Sequence, residues 1–205
     1  MLYNKYNFLI GKFASKDEYP RPEISGVFIT PKETVATDSF KLIRVERAKG
    51  DIKDYPLLPS GKHSKEDFKP FILPVKATGK IAAELAKIKS TLPIVSNAII
   101  TQRKKESIEI SYTDIEIANS INSKIIEGEY PDYKSILKKE GKYTRIAVNV
   151  KMLKDIADFL NSFVDNRIKR IEIEIPRDEE RPIFFEAKRD NGQKAEALLM
   201  PMKKD

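Results

Sequence analysis

Few residues in this 205-residue chain have the type and spacing for chemistry, and most of those are ruled out by their neighbours. There is no cysteine and a single histidine, His63, which excludes thiol nucleophiles, disulfides and zinc sites built from thiolates or several imidazoles. Ser60-Gly61-Lys62-His63-Ser64 has the outline of a phosphate loop. That loop requires a glycine five residues before Gly61 and a hydroxyl residue directly after the lysine, and Pro56 and His63 stand in those places. The carboxylates Asp178, Glu179 and Glu180 lie between two strand-like runs beside Pro176 and Pro182. General acid–base work needs two carboxyl groups in different environments, and this cluster reads as a solvated hairpin tip. His63 reads as a loop residue. No catalytic residue, metal or cofactor is assigned, and the chain is read as not an enzyme.

The remaining candidates are cationic. The chain has 38 Lys+Arg against 31 Asp+Glu, a formal net charge of +7, with a pI near 9.3. Lys5 and Lys12 fall on a first amphipathic segment, Lys76, Lys80 and Lys87 on a second, and Lys151 and Lys154 on a third. Basic helical faces of this kind hold a nucleic-acid duplex by its phosphates without reading sequence. The same lysines would also serve as a solubilising surface.

The elements that must position these lysines follow from periodicity. Residues 3–14 read as a short helix, broken by Pro20 and Pro22. Strands follow over 24–30, 34–37 and 42–46. Residues 48–70, with three prolines and two glycines, form a long surface loop. A second helix is expected from Val75 to Lys89, then strands over 94–101, 108–112 and 115–125. A third helix is expected from Val148 to Phe163, then strands over 171–175, 183–187 and 195–200, with Asn191-Gly192 as a hairpin turn. One helix followed by three strands occurs three times, with Val75 and Val148 setting an apparent period of 73. The fold class is α+β: repeats of one helix packed on three to four antiparallel strands, paired so that two repeats share a core. No apolar run reaches membrane-spanning length, and the N-terminus has no signal-peptide pattern, so the expectation is a soluble cytoplasmic protein without a membrane partner.

Four segments together resemble the bacterial DNA sliding clamp, the β subunit of the replicative polymerase. Arg21-Pro22-Glu23-Ile24-Ser25-Gly26-Val27 is similar to the family's entry into its middle domain, and Val35-Ala36-Thr37-Asp38-Ser39-Phe40-Lys41-Leu42 to its ATDGHRL motif. Glu127-Gly128-Glu129-Tyr130-Pro131-Asp132-Tyr133 resembles its EGxYPDY linker, and Leu198-Leu199-Met200-Pro201-Met202-Lys203 its C-terminal MPMR ending. The resemblance implies a clamp-like domain over 1–137, similar to the whole middle domain, and a half domain over 138–205, similar to the second half of the last one.

It also implies a function: a DNA sliding-clamp-like processivity factor in DNA replication. Such a factor binds duplex DNA without sequence specificity and docks replicative polymerase or clamp-loader peptides, or repair proteins, in a hydrophobic pocket. Carried over, one wall of the pocket is Ile24, Thr37, Ser39, Phe40, Lys41 and Leu42. Pro131, Ser135 and Ile136 continue it, and Leu198, Leu199, Met200, Pro201 and Met202 complete it. Apolar side chains with two methionines make an adaptable peptide surface. The sequence departs from the family at Ser39-Phe40-Lys41, which replaces Gly-His-Arg, at Ser135, where arginine is usual, and at the Lys203-Lys204-Asp205 tail. An odd number of repeats leaves one without a partner in the chain, so a homo-oligomer is expected. The alternative function is a clamp-derived adaptor that binds partner peptides without encircling DNA.

Overall fold

A computed structural model describes residues 2–16, 20–47, 55–56, 69–88, 92–104, 106–139, 141, 143–165, 169–178 and 180–202. His63 and the rest of the Ser60–Ser64 segment, Glu179 and the Lys203–Asp205 tail lie outside the described residues. The chain divides into two units, Met1–Leu137 and Lys138–Asp205.

In Met1–Leu137, β1 (Leu2–Asn4) leads into α1 (Lys5–Leu9) and a 3-10 turn over Ile10–Phe13. Three strands follow: β2 (Gly26–Ile29), β3 (Glu33–Thr37) and β4 (Leu42–Glu46). The order then repeats as β5 (Phe71–Pro74), α2 (Val75–Lys87), β6 (Asn97–Lys104), β7 (Ser107–Thr113) and β8 (Ala118–Lys124), closed by a single helical turn, α3 (Tyr133–Ile136). The other unit has α4 (Val150–Phe163) followed by β9 (Glu172–Glu174), β10 (Ile183–Lys188) and β11 (Lys194–Leu199). All strand pairs are antiparallel.

The two repeats of Met1–Leu137 exchange their leading strands. One sheet has the order β4-β3-β2-β5 and the other β8-β7-β6-β1, so β5 pairs with β2 of the first repeat and β1 with β6 of the second. Leu73 lies opposite Val27, and Tyr3 opposite Ala98. A single core results. Phe8 from α1, Ile81 and Leu85 from α2, and Val27, Ile100 and Ile110 from the two sheets are all buried in one cluster. Asn7 fastens α1 to its sheet, its buried amide donating to Thr34 Oγ1 at 3.2 Å and to the Glu46 carbonyl at 3.0 Å. Gly11 allows the 3-10 turn to approach α2, since a Cβ there would lie 2.5 Å from Oγ1 of buried Thr78.

These facts correct the sequence expectations at three points. Residues 3–14 are not one helix, because Leu2 and Tyr3 pair with β6 and Asn4 caps α1 by accepting from the Tyr6 amide at 3.0 Å. Phe71–Pro74 is a strand whose partner, β2, is remote in sequence. The helices begin at Val75 and Val150, so the period is 75 rather than 73, because Asn149 caps α4 by accepting from the Lys151 and Met152 amides.

Candidate functional site

The lysines expected to contact DNA all fall among the described residues, and their surroundings separate them. Lys87 is engaged by Glu84 Oε1 at 2.8 Å, which raises its pKa from the ordinary lysine value. Lys154 is held by Asp158 one turn further along α4, with the same upward effect. Lys5 stands over the Tyr6 ring and Lys12 over the Phe13 ring, and Lys151 is exposed. Lys12, Lys76 and Lys80 form no ion pair among the described residues, and Lys12 and Lys76 come together. With Lys16 they line a cleft of about 520 Å³ between the 3-10 turn and the start of α2, where Ser15 and Ser25 also face the cavity. Lys16 was not singled out by its spacing. The sequence signal for this cleft is Gly11, whose missing side chain sets the distance between the two elements.

The peptide-docking candidates group by element. Ile24 and Leu42 lie in one apolar cluster with Val35, Ile72, Tyr130 and Tyr133. Thr37, Ser39, Phe40 and Lys41 form the β3–β4 turn, with Phe40 97% exposed. Pro131 is half-buried, whereas Ser135 and Ile136 are exposed on α3. In the other unit Leu199 turns into the core with Phe185 and Leu160. Leu198, Met200 and Met202 are exposed beside it and Pro201 is half-buried, as strand alternation requires of Leu198.

Sequence reasoning missed the aromatic group behind Pro131. Phe28 stacks on Tyr130 with centroids 4.7 Å apart, and Tyr133 Oη donates to Glu33 Oε1 at 2.6 Å. These residues line a second cleft of about 500 Å³ with Pro31, Lys32 and Lys134. Burial, and then the Glu33 carboxylate, push the Tyr133 hydroxyl upward, so it stays a donor at neutral pH.

The β3–β4 turn is built by Thr37 and Asp38. Thr37 Oγ1 donates to the Lys41 carbonyl at 2.8 Å and accepts from the Ser39 amide at 3.1 Å, and Asp38 Oδ1 accepts from the Lys41 amide at 2.9 Å. The side-chain ammonium of Lys41 holds the Asp38 carboxyl down at about 2. Because this folded-state pKa is depressed, the contribution of Asp38 to the turn is present above the ordinary carboxylate range and is lost as pH falls through about 2.

The second repeat forms the same turn at Thr113-Asp114-Ile115-Glu116-Ile117. Thr113 Oγ1 donates to the Ile117 carbonyl at 2.9 Å and accepts from the Ile115 amide at 2.9 Å, and Asp114 Oδ1 accepts from the Ile117 amide at 2.7 Å. The third residue of each turn has positive φ, 76° at Ser39 and 92° at Ile115. A side chain there costs about 1–2 kcal/mol, most for a β-branched one. Ser39→Gly and Ile115→Gly are therefore expected to stabilise the fold, by about 0.5 and about 1 kcal/mol after the extra unfolded-state entropy of glycine. Urea midpoints check this, and two lowered midpoints would refute the strain.

Among the described residues no helix is long and apolar enough to cross a membrane. No protein-family model and no curated protein sequence matches the chain. Solved structures do. The β subunit of the DNA polymerase of Streptococcus pyogenes superposes with a TM-score of 0.69 at 18% identity, over 99% of this chain and 50% of that one. The DnaN sliding clamp of Bartonella birtlesii, bound to griselimycin, gives 0.67 at 19% identity, over 100% and 51%. DNA polymerase III subunit beta of Borrelia burgdorferi gives 0.66 at 20% identity, over 96% and 45%. The chain spans about half the length of these proteins. Its fold is that of the bacterial DNA polymerase III β sliding clamps over about half of their length.

Proposed function

We propose that the chain is a non-enzymatic, clamp-like factor that holds duplex DNA by its phosphates without reading sequence. On this reading it docks short apolar peptides of replication or repair proteins on two surfaces, one around Ile24 and Leu42 and one along Leu198–Met202. The observation that carries the DNA reading is that Lys12, Lys16 and Lys76 line one cleft, none of them paired with a carboxylate among the described residues. Cations around one cleft raise the local potential, which favours a polyanion. The start of α2, which no side chain caps, adds partial positive charge on the same side. The sliding-clamp fold supports the reading and provides the peptide expectation.

The test is a titration with duplexes of two unrelated sequences at several salt concentrations. Three or more phosphate contacts give a slope of log K against log salt of about −2.7 or steeper, at about −0.9 per contact, with equal affinity for both sequences. A flat slope, or a strong preference for one duplex, would overturn the proposal. The peptide surface is tested separately with Met200→Ala, which touches none of the lysines. Met200 is 54% exposed, so its loss should leave folding intact. Binding of a peptide with two or three apolar side chains should weaken by roughly tenfold. A folded Met200→Ala protein that binds such a peptide as tightly as the unaltered chain would remove the C-terminal run from the site.

A further inference from the structure

Met1–Leu137 shows how two repeats of this chain complete each other: each lends its leading strand to the other's sheet, beside the strand that follows the helix. Lys138–Asp205 has one repeat, and among its described residues neither half of that exchange takes place. β9 is paired on one edge only, with β10. Residues 143–149 stand where β1 and β5 stand, directly before a helix, and form no strand. Their contact within the repeat is already made. The Met202 amide donates to the Ala147 carbonyl at 2.9 Å, as the Ile126 amide donates to the Ile72 carbonyl at 2.9 Å in the complete pair. Ala147 is 75 residues beyond Ile72, the spacing that separates the two helices.

The helix shows the same vacancy. Ile81 and Ala82, in the core that α2 shares with α1, are 0% and 2% exposed. The residues 75 positions on are Ile156, half-buried, and Ala157, exposed. Met152 and Phe159 on the same helix are 57% and 56% exposed.

We propose that a second copy of this chain covers this face. Two Lys138–Asp205 units pair about a two-fold axis, with α4 antiparallel to α4 and residues 144–148 of each copy extending the open edge of β9 in the other. The unit contains both a segment in the place of a leading strand with no sheet to join and a sheet edge without a strand, so one symmetry operation satisfies both. Along the new ladder, apolar Ile146 and Val148 share a face with Ile171 and Ile173, and Arg145 meets the Glu172 and Glu174 side. This pairing does not depend on DNA binding.

Sedimentation of the full chain without DNA tests it, with amide exchange as the second measurement. The expected mass is twice 23.5 kDa, with slowed exchange at Ile146–Val148 and Ile171–Ile175. Ala157→Arg, exposed in one copy and covered in the pair, should weaken the dimer by roughly a hundredfold. Ile146→Pro, which removes a ladder donor from a segment with no strand of its own, should also return the mass to that of one chain. A single-chain mass at the highest concentration would overturn the proposal, as would a dimer that survives both variants or one whose 146–148 amides exchange freely. If either variant fails to fold, the exchange pattern of the unaltered chain decides alone.

Discussion

Replacing Lys12, Lys76 and Lys80 together with glutamate is expected to lower duplex affinity by roughly a hundredfold at low salt and to flatten the salt slope by about 2.7, which is about 0.9 for each of three lost phosphate contacts. The reversal takes the formal net charge from +7 to +1, since each of the three changes subtracts two. Lys12 and Lys76 converge on the cleft beside the start of α2, and Lys80 lies one turn along the same helix. Among the described residues none of the three forms an ion pair, so each is available to a phosphate. Folding should survive, since all three are exposed and a glutamate at position 76 sits favourably in the first turn of a helix. Lys87→Glu is the internal comparison. Lys87 already shares its charge with Glu84, so its reversal should cost much less. If the triple variant bound duplex as well as the unaltered chain at both low and moderate salt, the cleft would have no part in DNA binding.

Phe8→Ala should destabilise Met1–Leu137 by about 4 kcal/mol, within the range for emptying a buried phenylalanine site. Phe8 is fully buried, with the Tyr3 ring 6.4 Å away, and sits in the core to which both helices and both sheets contribute. Because the two repeats interlock through exchanged strands, a cavity under α1 weakens the second repeat as well as its own. Lys138–Asp205 has a separate core of Leu160, Val164, Ile183 and Phe185, so its transition should be unchanged. Tyrosine fluorescence during urea unfolding separates the two, because seven of the eight tyrosines precede residue 138. A loss under about 1 kcal/mol would mean that the site collapses around the smaller side chain and that the shared core is looser than the burial of Phe8 implies.

Local patterns were legible in the chain without its structure. The alternation of Ile108, Ile110 and Tyr112 and the helical spacing of Ile81 and Leu85 need only their own neighbours to be read, and β7 and α2 lie where those patterns place them. The α+β class with antiparallel sheets follows from the same patterns. The motif around Thr37-Asp38 and its resemblance to a clamp segment could be read directly, since a turn is specified by a few adjacent side chains.

What only the tertiary structure decided are the features whose cause lies far along the chain. Phe71–Pro74 is too short to announce itself and becomes a strand because β2 offers an open edge, just as Leu2–Asn4 is a strand because of β6. Lys12, Lys16 and Lys76 share a cleft only because Gly11 lets two elements approach. Periodicity records which face of an element is apolar, because that is a property of neighbouring residues. It carries no record of which distant segment will cover that face, since that choice is made by pairing and packing across the whole fold.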